Sequence, residues 1–331
     1  MESGPEGTGN PVCSHTIRRL AAAALALVAV IITASAFLRL GQAGLGCPDW
    51  PACYGLLEAN ATRLNQALPA TLVRAVHRVA ALSAAALVLA LGWQVMARRP
   101  RRRTEVTLVL LLLMVLAFLA VIGRWTGSSR IPAVAVGNIL GGSALLALLG
   151  FLWCMQRPAS MAAPRPALAA LAWISLAVFA LQALLGALVG AKYAALSCDA
   201  WIACPGATVE HVWSTFDPFS ELVFEAGGVK RSAGLATLQL AHHCGALAVL
   251  ALSLALAGAL VRSAASRPLG IMVMACAGVQ VVLGMAAILS GHAFAISVAH
   301  NLGAGMLLLA LVAAAHACSR GSLHRSIAGL A

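Results

Sequence analysis

The sequence predicts an all-α polytopic membrane protein, with eight transmembrane helices arranged as two pseudo-symmetric four-helix bundles. Three observations predict it. Of the 331 residues 61% are hydrophobic and 10% are charged, which leaves too little polar surface for a water-soluble domain. Eight stretches carry the ~20 mostly apolar residues that a span needs. The two halves of the chain also repeat one another in register. The runs are rich in Ala and Leu with interior Gly, the composition of packed helices rather than the alternation of barrel strands.

The first span, 20–38, follows a tail (1–19) that carries two acids and no early basic residue, so it reads as an uncleaved anchor and not as a signal or transit peptide. An outer loop (39–74) leads to the second span at 75–97, and "RRPRRRTE" (98–105) leads to the third at 106–123. The fourth occupies 133–155 and completes a first bundle, 20–155. After the linker "QRPASMAAPRP" (156–166) come the fifth span at 167–190 and a second outer loop, 191–234. The sixth at 235–260, "VRSAASRP" (261–268), the seventh at 269–290 and the eighth at 295–317 complete the second bundle, 167–317, before a tail at 318–331. Basic clusters fall on every second connection, so the net charge of +12 reports topology by the positive-inside rule. Both termini are therefore expected in the cytoplasm, in a bacterial inner (plasma) membrane. The partner of this basic surface is the lipid bilayer, and a nucleic acid is not expected.

Setting Ala36 on Ala187 matches Cys47 to Cys198, Trp50 to Trp201, Cys53 to Cys204 and Gly55 to Gly206 without a gap. The second and sixth spans set His77 against His242, and the fourth and eighth set Asn138 against His300. An even number of spans per half makes the repeat parallel, about an axis along the membrane normal. "GLGCPDWPACYG" (44–55) and "ALSCDAWIACPG" (195–206) both fall on the outer side, where thiols oxidise. Compartment and duplication favour a disulfide in each loop. The alternative, a free or metal-binding thiol pair, lacks the closer pairs and the four ligands of zinc sites. Cys13, Cys154, Cys318, Cys244 and Cys276 read as plain reduced side chains.

An imidazole within a bilayer is costly unless it is paired or ligated. His77, His242 and His300 all approach the outer face. His242 and His300, on two helices of one bundle, have the pattern that axial coordination of haem requires. His77 has only Asn138 as its repeat partner, and an amide is a poor haem ligand, so the first half is expected to ligate a haem unsymmetrically at most. Arg78 either pairs with a haem propionate or snorkels to the surface. His15, His211, His292, His316 and His324 read as solvated or interfacial.

"AFLRLGQAGLGCPDWPACYG" (36–55), "LQALLGALVGAKYAALSC" (181–198), "FEAGGV" (224–229) and "SVAHNLGAGMLLLALV" (297–312) resemble, in order, signatures of the haem A synthases of cytochrome oxidase assembly. The resemblance implies that one half holds a haem B cofactor and the other receives haem O. The C8 methyl of haem O then becomes the formyl group of haem A, with water as the oxygen source. It implies haem O, the haem O synthase and the oxidase assembly machinery as partners. Residue by residue, His242 and His300 match the cofactor-haem ligands, and His77, followed by Arg78, matches a substrate-site ligand. Cys47, Cys53, Cys198 and Cys204 match the outer-loop cysteines.

The chain departs from that pattern at four places. Arg74 stands where the family has a glutamate implicated in catalysis, and Asn138 where it has a second histidine. A guanidinium cannot accept a proton as a carboxylate does. His243 replaces an arginine, and Cys198-Asp199-Ala200 replaces Cys-Pro-Asp. The losses of functional residues, at Arg74 and Asn138, fall in the substrate half, while the cofactor half keeps both ligands. One expectation is a divergent synthase whose acid chemistry comes from Asp49 or Glu58. The other is a haem B-binding paralogue, an electron carrier or oxidase assembly factor without synthase activity. A transporter follows from the tandem repeat alone, but the spans lack obviously broken helices. The outer segment 207–234 mixes aromatic and acidic side chains and suits either the membrane surface or a partner.

Overall fold

The computed structural model describes residues 11–42, 68–126, 129, 131–157, 165–198, 201, 203–208, 212–220, 224–225, 228–229 and 232–319. Eight helices in it are long and apolar enough to cross a membrane. They are α1 (Pro11–Gln42), α2 (Leu68–Ala97), α3 (Arg103–Ile122), α4 (Pro132–Met155), α5 (Pro166–Ala191), α6 (Ala233–Val261), α7 (Arg267–Leu289) and α8 (Phe294–Ser319). Pro in the first turn starts α4, α5 and α7, where its missing N–H would have no helical partner anyway. At the head of α6 the Ser232 hydroxyl caps the helix by accepting from the Leu235 N–H at 3.3 Å.

The ends of the spans differ from the sequence expectation at the first outer loop and the N-terminal tail. α1 begins at Pro11 and takes in Arg18 and Arg19, because arginine propagates a helix as readily as it ends a span. With α1 reaching Gln42 and α2 starting at Leu68, the first outer connection is shorter than 39–74.

Each half closes on itself. α1 packs on α2 and α4, and α3 packs on α2 and α4; α5 packs on α6 and α8, and α7 packs on α6 and α8. The halves meet where α8 lies against α4 and α1 and where α4 lies against α5. α8 is the central element: half of its most apolar window is buried, against at most 33% for any other span. Leu146, Leu149 and Leu152 of α4 and Leu307 and Leu311 of α8 fill the seam. Close approach depends on bare backbone. A Cβ at Gly150 would lie 2.7 Å from Leu309 Cδ2, and one at Gly305 would lie 3.2 Å from Leu146 Cδ2.

Polar contacts fix both ends of this frame. At the end expected to be cytoplasmic, the "RRPRRRTE" stretch is more than a solvated basic loop. Glu105 is fully buried, Arg98 Nη1 donates to both its oxygens at 3.1 and 3.0 Å, and Gln156 Nε2 donates to Oε1 at 3.0 Å. That pair ties α2, α3 and α4 together, and removing one partner of such a pair costs about 3–5 kcal/mol. At the other end the buried Lys192 ammonium, just past α5, donates to the carbonyls of Ser214 (3.2 Å) and Thr215 (2.8 Å) and to Ser220 Oγ (3.0 Å). Burial lowers its pKa, and the Asp217 carboxylate works against that shift. These bonds draw the one-turn helix Val212–Phe216 onto the bundle. The next residues reach the other half, where Ala133 N–H at the head of α4 donates to the Pro218 carbonyl at 2.7 Å.

Candidate functional site

The site is built from two helix pairs that repeat one device. On α5 and α6, Gln182 Nε2 lies 3.0 Å from His242 Nδ1 and donates to the His242 carbonyl at 2.9 Å. On α7 and α8, Gln280 Nε2 lies 3.2 Å from His300 Nε2. Each glutamine has a glycine four residues later, Gly186 and Gly284, and each histidine has a glycine three residues later, Gly245 and Gly303. Those intervals put the pair on one helix face. The imidazoles therefore lie against bare backbone: a Cβ at Gly186 would sit 3.0 Å from His242 Cε1, and one at Gly284 would sit 3.2 Å from His300 Cε1. Gly245 and Gly303 leave room for the amide oxygens of Gln182 and Gln280.

This donor set fits a metal-centred group. His242 and His300 lie close enough for a charge on one to be felt at the other. Buried atoms without a hydrogen-bond partner among the described residues include His300 Nδ1, Gln182 Oε1 and Gln280 Oε1. An imidazole that binds a metal offers one lone pair and donates its other N–H to an outer acceptor. Turning each amide by 180° presents the unused oxygen as that acceptor; at Gln182 the turn gives up the bond to the His242 carbonyl.

The second cysteine loop rests on the same helix. Cys198 and Cys204 are joined as a disulfide, as the sequence led us to expect. Trp201, inside the loop, stacks on His243 with ring centroids 5.4 Å apart, and its carbonyl accepts from His243 Nδ1. His243 Nε2 is 2.9 Å from Gln239 Nε2. The two sulfurs and a His243 nitrogen lie within 4.8 Å of one another, but the closed S–S bond leaves no thiolate to bind a metal. Cys47 and Cys53, expected to pair likewise, lie outside the described residues, as do Asp49 and Glu58.

His292, expected to be solvated or interfacial, is half-buried between α7 and α8. Burial pushes its pKa below the ordinary value, its bond to the Ala195 carbonyl raises it, and nearby His243 lowers it further. It also lies within electrostatic reach of His300. His316 is likewise half-buried, edge-on to Phe151 at 5.0 Å.

Among the described residues of the first half the device is missing. His77 on α2 is half-buried, and its ring makes no hydrogen bond to another described residue; Arg74 is half-buried and Arg78 exposed. Asn138 Nδ2 donates to Ser35 Oγ at 3.2 Å, and Ser35 occupies the repeat position of Gly186. Gly141, the repeat position of Gly303, faces Leu119, whose Cδ2 would be 2.6 Å from an added Cβ, where Gly303 faces Gln280.

Residues 18–312 match the model of a family described as cytochrome oxidase assembly protein. The chain belongs to that family. A haem A synthase of Shewanella oneidensis is similar to it, 32% identical over 308 residues that cover 87% of this chain and 92% of the relative. As a cytochrome oxidase assembly protein of the haem A synthase family, the chain is a multi-pass membrane protein for which family membership implies haem binding. Reading single histidines did not find the residues that serve them in this assembly protein. Gln182, Gln280 and the four glycines carry a legible signal, a Q-x3-G on a span paired with an H-x2-G on the next, which the second half contains twice. Trp201 and His292 carry none, since their places are set by contacts between distant elements.

Proposed function

We propose that this chain is a haem A synthase, an oxidoreductase that converts the C8 methyl of haem O to a formyl group. In this reading His242 and His300 hold a resident haem B, and the first half receives haem O as substrate beside His77. The observation that carries the reading is the duplicated glutamine–histidine pair with its glycine spaces on α5–α6 and α7–α8. Haem B bound there supplies one-electron redox chemistry. Gln182 and Gln280 orient the imidazoles and fix which ring nitrogen keeps its proton. The disulfide-closed loop, seated on His243 through Trp201, excludes water from the outer end of α6. Its short ring restrains the unfolded chain by about 2 kcal/mol. In the substrate half, His77 supplies a ligand for the substrate iron and Arg78 a cation for a propionate. Arg74 cannot serve as a base. Helix contacts that map onto themselves when the halves are exchanged support a two-fold pseudo-symmetric arrangement. The basic clusters on every second connection support both termini lying in the cytoplasm, in this reading at a bacterial inner membrane. Haem O, the haem O synthase and the oxidase assembly machinery are the partners of this reading.

A second reading, a haem B-binding paralogue acting as an electron carrier or assembly factor, is favoured by one observation. Asn138 is engaged by Ser35, and Leu119 fills the place of the second half's glutamine. The deciding experiment extracts and separates haems from membranes of a haem-O-producing host with and without the protein. It includes the Arg74→Glu, Asn138→His and doubly substituted variants. Haem A from the unaltered protein is the expected result. Bound haem B without haem A establishes the paralogue, and haem A from the double variant alone places the loss in the first half. Membranes with no added haem of any kind overturn both readings.

A further inference from the structure

Arg39 lies three residues before the end of α1, in the first half, yet its side chain serves the second. Its Nη2 donates at 2.9 Å to Asn301 Oδ1, on the residue that follows His300. The Asn301 amide nitrogen donates at 2.9 Å to the Ser297 carbonyl, which holds Oδ1 towards the arginine. Nearby, Phe37 meets Phe294 edge-on with centroids 4.9 Å apart, so the outer ends of α1 and α8 are docked where Arg39 crosses.

Among the described residues no carboxylate answers the charge of Arg39. Its Nε is buried and has no hydrogen-bond partner among the described residues. The ion pairs of the described residues both involve Glu105, at the opposite end of the molecule. An amide oxygen takes one guanidinium hydrogen but brings no negative charge. A guanidinium stays protonated in a protein, and burying it unpaired at membrane depth is costly. The arrangement is thus an anion site with one arm already placed and Nε without a described partner, at the residue that follows His300.

The geometry points to a carboxylate on the group that His300 would ligate: we infer that Arg39 binds a haem propionate, so that the first half clamps the second half's cofactor. This rests on the reading of His242 and His300 as haem ligands. His243, in the place beside His242 where a cation is expected, has both ring nitrogens engaged by Gln239 and the Trp201 carbonyl and is not free for the task. The clamp works in one direction, since the repeat position of Arg39 is Gly190, where an added Cβ would meet nothing within 4 Å.

The test titrates the full chain, stripped of haem in detergent, with protohaem IX and with protohaem IX dimethyl ester, whose propionates carry no charge. Absorbance reports bis-imidazole ligation in each case. The unaltered protein is expected to bind the free acid about tenfold or more tighter than the ester, the size of a buried charge-assisted hydrogen bond. Arg39→Gln is expected to bind the two alike with the ligation spectrum kept, and Arg39→Lys to retain part of the preference. Equal binding of acid and ester by the unaltered protein overturns the inference whether or not any variant folds, as does a full preference in Arg39→Gln. If neither porphyrin gives a bis-imidazole spectrum with the unaltered protein, the ligand reading of His242 and His300 itself falls, and the clamp with it.

Discussion

His292 holds a left-handed backbone conformation, φ 62, directly after Gly291 at φ 60. Two such residues in succession turn the chain from α7 into α8 and carry an imidazole inward, where a solvated loop would have left it outside. Burial, with His243 nearby, holds its pKa below the ordinary 6.5 against the opposing bond to the Ala195 carbonyl. The native state therefore binds fewer protons here than the unfolded chain wherever pH lies below about 6.5 and above the depressed value. Stability from this residue is present above about pH 6.5 and declines as pH falls through it. The thermal midpoint in detergent should drop on acidification, and His292→Asn, which tolerates the left-handed conformation, should show a shallower acid slope. Parallel slopes in the two proteins would assign the acid sensitivity elsewhere.

On the proposed reading, the helix pair is the unit in which a histidine becomes a ligand. In α5–α6 and α7–α8 a glutamine, a histidine and two glycines on facing helices fix a ring that either helix alone leaves free. Gly245→Ala places a methyl on Gln182 Oε1, and Gly303→Ala places one 2.5 Å from Gln280 Oε1. The obstructed atom is the mobile end of a side chain, so the amide swings off its histidine while the helices stay in place. Each variant is expected to keep its thermal midpoint within a few degrees and to lose about tenfold in haem affinity, the usual scale for a lost outer partner of a metal ligand. Unchanged affinity by absorbance titration would separate the glutamines from ligand positioning. Helix identity was legible from apolar run length, because the bilayer fixes how many apolar residues a span needs. These pairs were half legible: the spacings are in the sequence, but which helix faces which is not.

For the whole molecule, the decisive surface is the one through which the halves touch, where α8 lies against α4 and, beside it, against α1, from which Arg39 reaches His300's neighbour. Gly150→Leu would force a side chain into Leu309 and is expected to destabilise the protein by about 1–3 kcal/mol through overpacking. Haem retention should fall with it if the halves share the cofactor, and a stable variant that keeps its haem would show the seam to be loosely coupled to the site. The amino-acid sequence by itself determined the spanning helices, the two-fold repetition of the chain, the cysteine spacing that the Cys198–Cys204 disulfide closes and the histidines at which the site is proposed. Those are properties of composition and interval, which survive in a single strand of letters. The tertiary structure alone decided that Lys192 and Pro218 tie the segment around Val212–Phe216 to both halves, that Trp201 seats the disulfide loop on His243, and that Arg39 of α1 bonds Asn301, the residue after His300 on α8. Arg39 and Asn301 stand 262 residues apart, and only helix packing sets the distance between such residues.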